Sequence, residues 1–290
     1  MRLTDHVRGH AERVAASARS VRIDLEALGA VDPGPPPQID AERHYLEGSE
    51  ADVAGYMLVL DTINFGSGWF PTLRKRPGAS GYFTIAWGLA DRYRAHGAWT
   101  NAELRAMRTE ELADVLGQPR DHELMALFSQ ALRQLGAFLD ERGALDLVRE
   151  AGGSAERLAE LLAAGMTMYA DRGFYKRAQI VPHDLALAGV ASFRDLDRLT
   201  IFADNLVPHV LRVDGVLVYD ERLARHVDAG RELVFGRQVQ ELRGTAVWAC
   251  EQAKRRLGLT AGEIDHALWT KGQGDAYKAL PRPRCRTVFF

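Results

Sequence analysis

Three stretches of this chain carry residue types that do chemistry at spacings that matter. In Leu199-Thr200-Ile201-Phe202-Ala203-Asp204-Asn205-Leu206-Val207-Pro208 a short apolar run ends in one carboxylate, with Phe202 just across a small alanine. Pro208 restricts Val207 and lacks an N–H, so Asp204 is expected at a turn between two short helical pieces. An aromatic face beside a carboxylate suits a flat ligand that becomes cationic as it reacts. The competing role for Asp204 is to cap the helix that starts near Pro208, since Asp is a favoured cap and Pro a favoured first-turn residue. In Asp265-His266-Ala267-Leu268-Trp269-Thr270, Asp265 and Trp269 stand at i and i+4 and project from one helix face. That places a carboxylate beside an indole, although a first-turn Asp and a buried Trp would read the same way. In Phe174-Tyr175-Lys176-Arg177-Ala178-Gln179-Ile180 two cations open a helix that carries Asp184. They have the wrong sign for the helix dipole, and a bound anion would relieve the conflict.

These stretches need elements to hold them, and the pattern is helical nearly throughout. Val7, Ala11, Val14, Ala18, Val21 and Leu25 recur at helical spacing, so residues 4–28 read as one helix capped by Thr4. Asp32-Pro33-Gly34-Pro35-Pro36-Pro37 is a stiff polyproline-like connection. His44 follows on a loop. Ser49 and Glu50 open an all-round apolar, buried helix that runs into Asp61-Thr62-Ile63-Asn64-Phe65-Gly66-Ser67-Gly68-Trp69-Phe70-Pro71. There two glycines permit close backbone approach and the aromatics offer a stacking wall or an aromatic-packed turn. Further helices are read from Gly81 to His96, from Thr100 behind a capping box, over 120–143, from Ser154, over Val239–Leu257 and from Thr260 behind a second capping box. Gly215-Val216-Leu217-Val218-Tyr219 reads as a short strand or an extended connection. The fold class is therefore all-α, with few or no strands.

At 290 residues, 47% hydrophobic and 26% charged, the chain has the make-up of a globular protein with a sizeable core. A net charge of -2 gives no electrostatic case for binding polymeric nucleic acid. Cys250 and Cys285 lie far apart without metal-ligand spacing, so no metal site is expected; Cys250 reads as a core residue and Cys285 as a free thiol. Without an apolar leader or a membrane-length apolar run, the cytosol is the expected compartment.

Taken together, Val59 to Phe65, Phe174 to Ile180, Leu199 to Asp204, Asp265 to Trp269 and the Arg284-Cys285-Arg286-Thr287-Val288-Phe289-Phe290 end resemble the queuosine salvage proteins, the queuosine 5'-phosphate N-glycosylases/hydrolases. The resemblance runs in order from about His44 to the last residue. It implies hydrolysis of the N-glycosidic bond of queuosine 5'-monophosphate to queuine and ribose 5-phosphate, a small-molecule substrate, and no metal or organic cofactor. It also implies an all-helical fold similar to the helix-hairpin-helix DNA glycosylases, as one domain over residues 1–290 with 1–170 and 171–290 as candidate sub-lobes. By matching motifs Asp204 takes the catalytic carboxylate position and Phe202 its neighbouring ligand contact. Asp265 and His266 fall where the family has a ligand-contacting Asp-Tyr pair, Thr270 where some members have a second Asp, and His44 on a His before the first long buried helix. His266 for Tyr, Thr270 for Asp and the Gly66-Ser67-Gly68-Trp69 segment depart from the family pattern. Beside this resemblance, Phe202 and Trp69 are candidates to stack on the base, and Lys176, with Arg177, to hold the 5'-phosphate from its helix-start position. The rival readings are a DNA or RNA base glycosylase on a related helical scaffold and a non-catalytic module that binds a modified nucleoside. Oligomeric state is not legible.

Overall fold

The computed structural model describes residues 2–30 and 34–290. Among these, fourteen α-helices account for most of the chain. In order they are α1 (Leu3–Ser17), α2 (Glu50–Thr62), α3 (Gly81–His96), α4 (Asn101–Arg105), α5 (Thr109–Val115), α6 (Glu123–Leu139) and α7 (Ala144–Glu150). They continue with α8 (Ala155–Gly165), α9 (Lys176–Leu187), α10 (Leu206–Val213), α11 (Glu221–Asp228), α12 (Arg237–Leu257), α13 (Ala261–Lys271) and α14 (Asp275–Lys278). Two three-residue strands, β1 (Val21–Ile23) and β2 (Leu217–Tyr219), pair antiparallel with Val21 opposite Tyr219.

Local signals start most of these helices where the sequence places them. Ser49, Thr100 and Thr260 each accept a backbone N–H three residues on, with the reciprocal carboxylate bond of a capping box. Gly97 and Gly258 close α3 and α12 with positive φ, the left-handed end that glycine adopts without a Cβ penalty.

The helix expected over residues 4–28 is shorter. It stops at Ser17, and Val21 leaves the helical path to pair with a strand nearly two hundred residues away. A β-branched residue is at home in either state, so tertiary pairing decided it. Thr4 lies inside α1 rather than capping it, and its N–H and hydroxyl both donate to Glu156 Oε1 at 2.8 Å. The expected polyproline-like connection falls partly on residues 31–33, outside the described residues.

The buried apolar residues form a cluster that runs from Leu3 to Phe290. At its centre α2 is buried from Tyr56 to Thr62, as its all-round apolar sequence demands. It packs on α9, α3 and α6. The C-terminal segment lies against the body. Gly66 N–H donates to Phe290 O at 3.1 Å, and Arg177 donates to Val288 O at 2.9 Å. Glycine is required at position 68, because a Cβ there would collide with the Cys285 backbone. Among the described residues no helix is long and apolar enough to cross a membrane.

Candidate active site

A cavity of about 680 Å3 opens between α9, α13, the segment leading into α10, the loop after α2 and the start of α3. Its size suits a small-molecule ligand. One face of α9 contributes Lys176, Ile180, His183, Asp184 and Leu187, the spacing of a single helical stripe. From α13 come Asp265, His266 and Trp269. Rings of Phe202, Tyr82, Phe83 and Trp269 wall the space, with Trp269 edge-on to Phe83 at 5.5 Å and to Tyr82 at 6.0 Å.

Asp204 lines this cavity and also caps α10. Its Oδ1 accepts N–H bonds from Leu206 (2.7 Å) and Val207 (3.0 Å), which fixes the side chain. The capping role read from the sequence is therefore taken by Oδ1, in a residue that also lines the cavity. Asp265 is nearly buried, and its Oδ1 accepts the Phe202 N–H at 2.7 Å. Burial, with the charge of Asp204 adding to it, pushes the Asp265 carboxyl up to about 7. Lys176, brought down to about 8 by burial, is held up against that fall chiefly by Asp204, with Asp265 adding. Its ammonium donates to Asn64 O at 2.9 Å. Two carboxyls and one amine thus face one cavity, and burial brings Asp265 and Lys176 toward neutrality from opposite sides.

The anion expected at the start of α9 is supplied by the protein itself. Asp171 Oδ2 accepts the Lys176 N–H at 3.2 Å. Arg177 is buried away from the cavity, with its guanidinium donating to the carbonyls of Thr62, Met168 and Val288.

Of the remaining residues singled out in the sequence, His44, Phe202 and His266 line the cavity, whereas Trp69 and Thr270 do not. Trp69 is buried, donates from Nε1 to Glu123 Oε2 at 2.7 Å, and has the Arg286 guanidinium over its ring. It packs the loop rather than facing the cavity. Thr270 is exposed on α13, one residue round from Trp269 and so off the lining stripe. His44 is buried in a turn; its Nδ1–H donates to Asp40 O at 2.8 Å, which leaves Nε2 to accept the Tyr82 hydroxyl at 3.0 Å.

Sequence reasoning missed two groups. The His183 Nδ1–H donates to Asp184 Oδ1 at 2.8 Å, and the imidazole sits edge-on to Phe202 at 5.1 Å. Burial alone would lower the His183 pKa, but the bond and charge of Asp184 outweigh it and leave the pKa raised. The helical stripe that begins at Lys176 could have revealed this pair. The other group is Arg282 and Arg284, which line the cavity from the C-terminal segment, Arg282 within reach of the Asp204 charge. No local pattern marks a loop arginine as a ligand contact.

Comparison with known proteins meets this geometry. The queuosine salvage protein family model matches residues 44–290. The queuosine 5'-phosphate N-glycosylase/hydrolase of Sphaerobacter thermophilus is 32% identical, with 96% of this chain and 95% of that protein covered. The enzyme of the same name from Dictyostelium discoideum is 29% identical over 82% of this chain and 78% of its own. That from Bos taurus is 27% identical over 98% of each. With the family match taking in the cavity from His44 to Phe290, the chain belongs to the queuosine salvage protein family.

Proposed function

We propose that this protein hydrolyses the N-glycosidic bond of queuosine 5'-monophosphate and releases queuine and ribose 5-phosphate. The observation that carries this reading is the pair of carboxyls on one ring-walled cavity, Asp204 held by two backbone N–H groups and Asp265 pushed up by burial. As the C1'–N9 bond breaks, its electron pair leaves with the base and positive charge builds on the sugar. Asp204, locked by two N–H groups, stabilises that charge and takes a proton from the water whose oxygen bonds to C1'. The base is a 7-deazaguanine, and its carbon at position 7 cannot accept the proton that helps ordinary purines depart. Another edge must be served instead. Asp265, kept protonated toward neutrality and with Oδ1 already engaged by the Phe202 N–H, donates from its other oxygen to a nitrogen of the leaving base. Phe202 and Trp269 stack on the base, and His44 and His266 contact it from the wall.

The 5'-phosphate goes to Arg282 and Arg284. These two guanidiniums lie on the Asp204 side of the cavity, whereas the Lys176 ammonium is tied to Asn64 and faces both carboxyls. Incubation with queuosine 5'-monophosphate should yield free queuine by mass spectrometry, and absence of that product at high enzyme would overturn the reading. Arg282→Ala should weaken the nucleotide far more than the nucleoside. Lys176→Ala should slow both alike, and a nucleotide-selective loss in Lys176→Ala instead would return the phosphate to Lys176.

A further inference from the structure

Two acids at this cavity are not used by the reaction: half-buried Asp184 on its lining and fully buried Asp61 behind it. On α2 Asp61 stands one turn after Met57, which lines the cavity, and three residues before Asn64, which lines it from the following loop; Asp61 itself lies behind this lining. Asp61 is 0% exposed, and among the described residues neither of its oxygens has a hydrogen-bond partner. Leaving a carboxyl so is costly unless something else compensates it. On the lining stripe of α9 stands Asp184, with Oδ1 engaged by His183 and, among the described residues, no hydrogen bond at Oδ2. Burial first, and the Asp184 charge second, hold the Asp61 carboxyl well above the usual carboxylate range. Asn64, Lys176 and Arg177 act on Asp61 in the opposite direction. The other groups facing the pair are Tyr82, His44, His183 and His266. Asp184 lies eight residues along α9 from Lys176, about 12 Å at 1.5 Å per residue. Along the lining, Arg282 acts on Asp204, Lys176 faces Asp204 and Asp265, and Asp184, which acts on Asp61, lies farther along α9; Lys75 and Lys278 complete the charged lining.

Queuosine 5'-monophosphate is itself polarised. Its phosphate is anionic at one end. The aminomethyl arm on its base carries a secondary amine that is protonated at neutral pH. We propose that the Asp61–Asp184 pair receives this protonated amine and so makes the enzyme selective for 7-deazaguanine nucleotides that bear it. A cation seated there takes the Asp184 oxygen that His183 leaves open and brings a compensating charge next to the buried Asp61, which accounts for two acids being kept together there. This inference rests on the nucleotide-hydrolase reading above and goes beyond it by assigning the selectivity.

The test compares three substrates: queuosine 5'-monophosphate, the same nucleotide acetylated on the side-chain amine, and 7-deazaguanosine 5'-monophosphate. In the unmodified protein, loss of the cation by either route should lower kcat/KM about tenfold to a hundredfold, the worth of a hydrogen bond to a charged group. Asp184→Asn, and separately Asp61→Asn, should draw the three values together by slowing the cationic substrate most. Equal kcat/KM on all three substrates in the unmodified protein overturns the proposal while leaving the hydrolase reading intact, and needs no variant. The same fractional loss on all three in both variants also overturns it. Hydrolysis of none of the three overturns the hydrolase reading and this inference with it.

Discussion

Two sets of buried charges lie side by side in this protein and are treated in opposite ways. Asp171 and Arg243 form a bidentate pair at 2.9 and 2.6 Å, with 6% and 1% of their side chains exposed. The guanidinium is also stacked between Phe174 and Phe290 and donates from Nε to Ala203 O at 2.7 Å. Every strong group there has a partner. Next to this pair in space, Asp204, Asp265, Asp184 and Asp61 each keep at least one oxygen without a close hydrogen bond among the described residues, and line or back the cavity. Asp61 and Asp265 are buried like that pair and Asp204 and Asp184 are half-buried, but it is satisfaction that separates the two sets. The saturated pair positions the unsaturated group, because Asp171 also takes the Lys176 N–H and Arg243 holds the carbonyl just before Asp204. A buried charge with all its bonds made is a fastener, and one left short is free to meet a ligand.

That contrast can be broken at either side. The largest effect is expected at Asp204→Asn. Asparagine keeps the cap on α10, so folding should be unchanged, while turnover on queuosine 5'-monophosphate falls about a hundredfold to ten-thousandfold. Near-normal single-turnover rates in that variant would move Asp204 to the fastener class. Next comes Arg243→Ala, which strands a buried carboxylate and should cost about 3–5 kcal/mol in denaturant unfolding. It should also lower activity, through the Ala203 carbonyl and Lys176 rather than by any contact with substrate. A variant as stable as the parent would mean that the pair is not structural.

Asp265→Asn sharpens the contrast through pH. In the parent, activity needs the protonated carboxyl and should fall as pH rises through about 7. Linkage gives the stability sign. The folded-state pKa is raised above its ordinary value of 3.8 to about 7, so the folded state holds the proton more tightly. Stability from this group is complete at low pH and is lost as pH rises from near 4 through about 7. Asparagine should remove that slope in unfolding experiments and the limb in the rate profile, along with about a hundredfold in rate. An unchanged limb would assign it to another group. The smallest effect is expected at Trp69→Phe, which loses the bond to Glu123 outside the cavity: about 1 kcal/mol of stability and less than about twofold in kcat/KM. A large rise in KM there would place the indole on the ligand after all.

The segments that carry the family resemblance were readable because they are local. Capping boxes at Thr100 and Thr260, the buried α2 and the Asp265–Trp269 face are fixed by spacing within one turn or two of helix. The same periodicity identified Asp204 as a helix start without showing which of its two oxygens would be spent there. Trp69, an aromatic in the right loop, was indistinguishable by pattern from one facing the ligand, because ring direction in a loop is set by distant neighbours such as Glu123 and Arg286. His183, Asp184 and Asp61 lay in plain view, but nothing local says that α2 and α9 would bring two acids together.

By itself the sequence determined the helices, their caps and the residue types available for acid–base chemistry, since those depend on a 3.6-residue period and on side chains reaching their own backbone. Only the tertiary structure decided that α1 would stop so that Val21 could pair with Tyr219, that Asp171 would be satisfied by an arginine 72 positions away, and that Asp61 would be left without a close partner among the described residues. The reason is that burial and partnering are properties of where helices cross, and crossings join residues whose separation along the chain carries no signal.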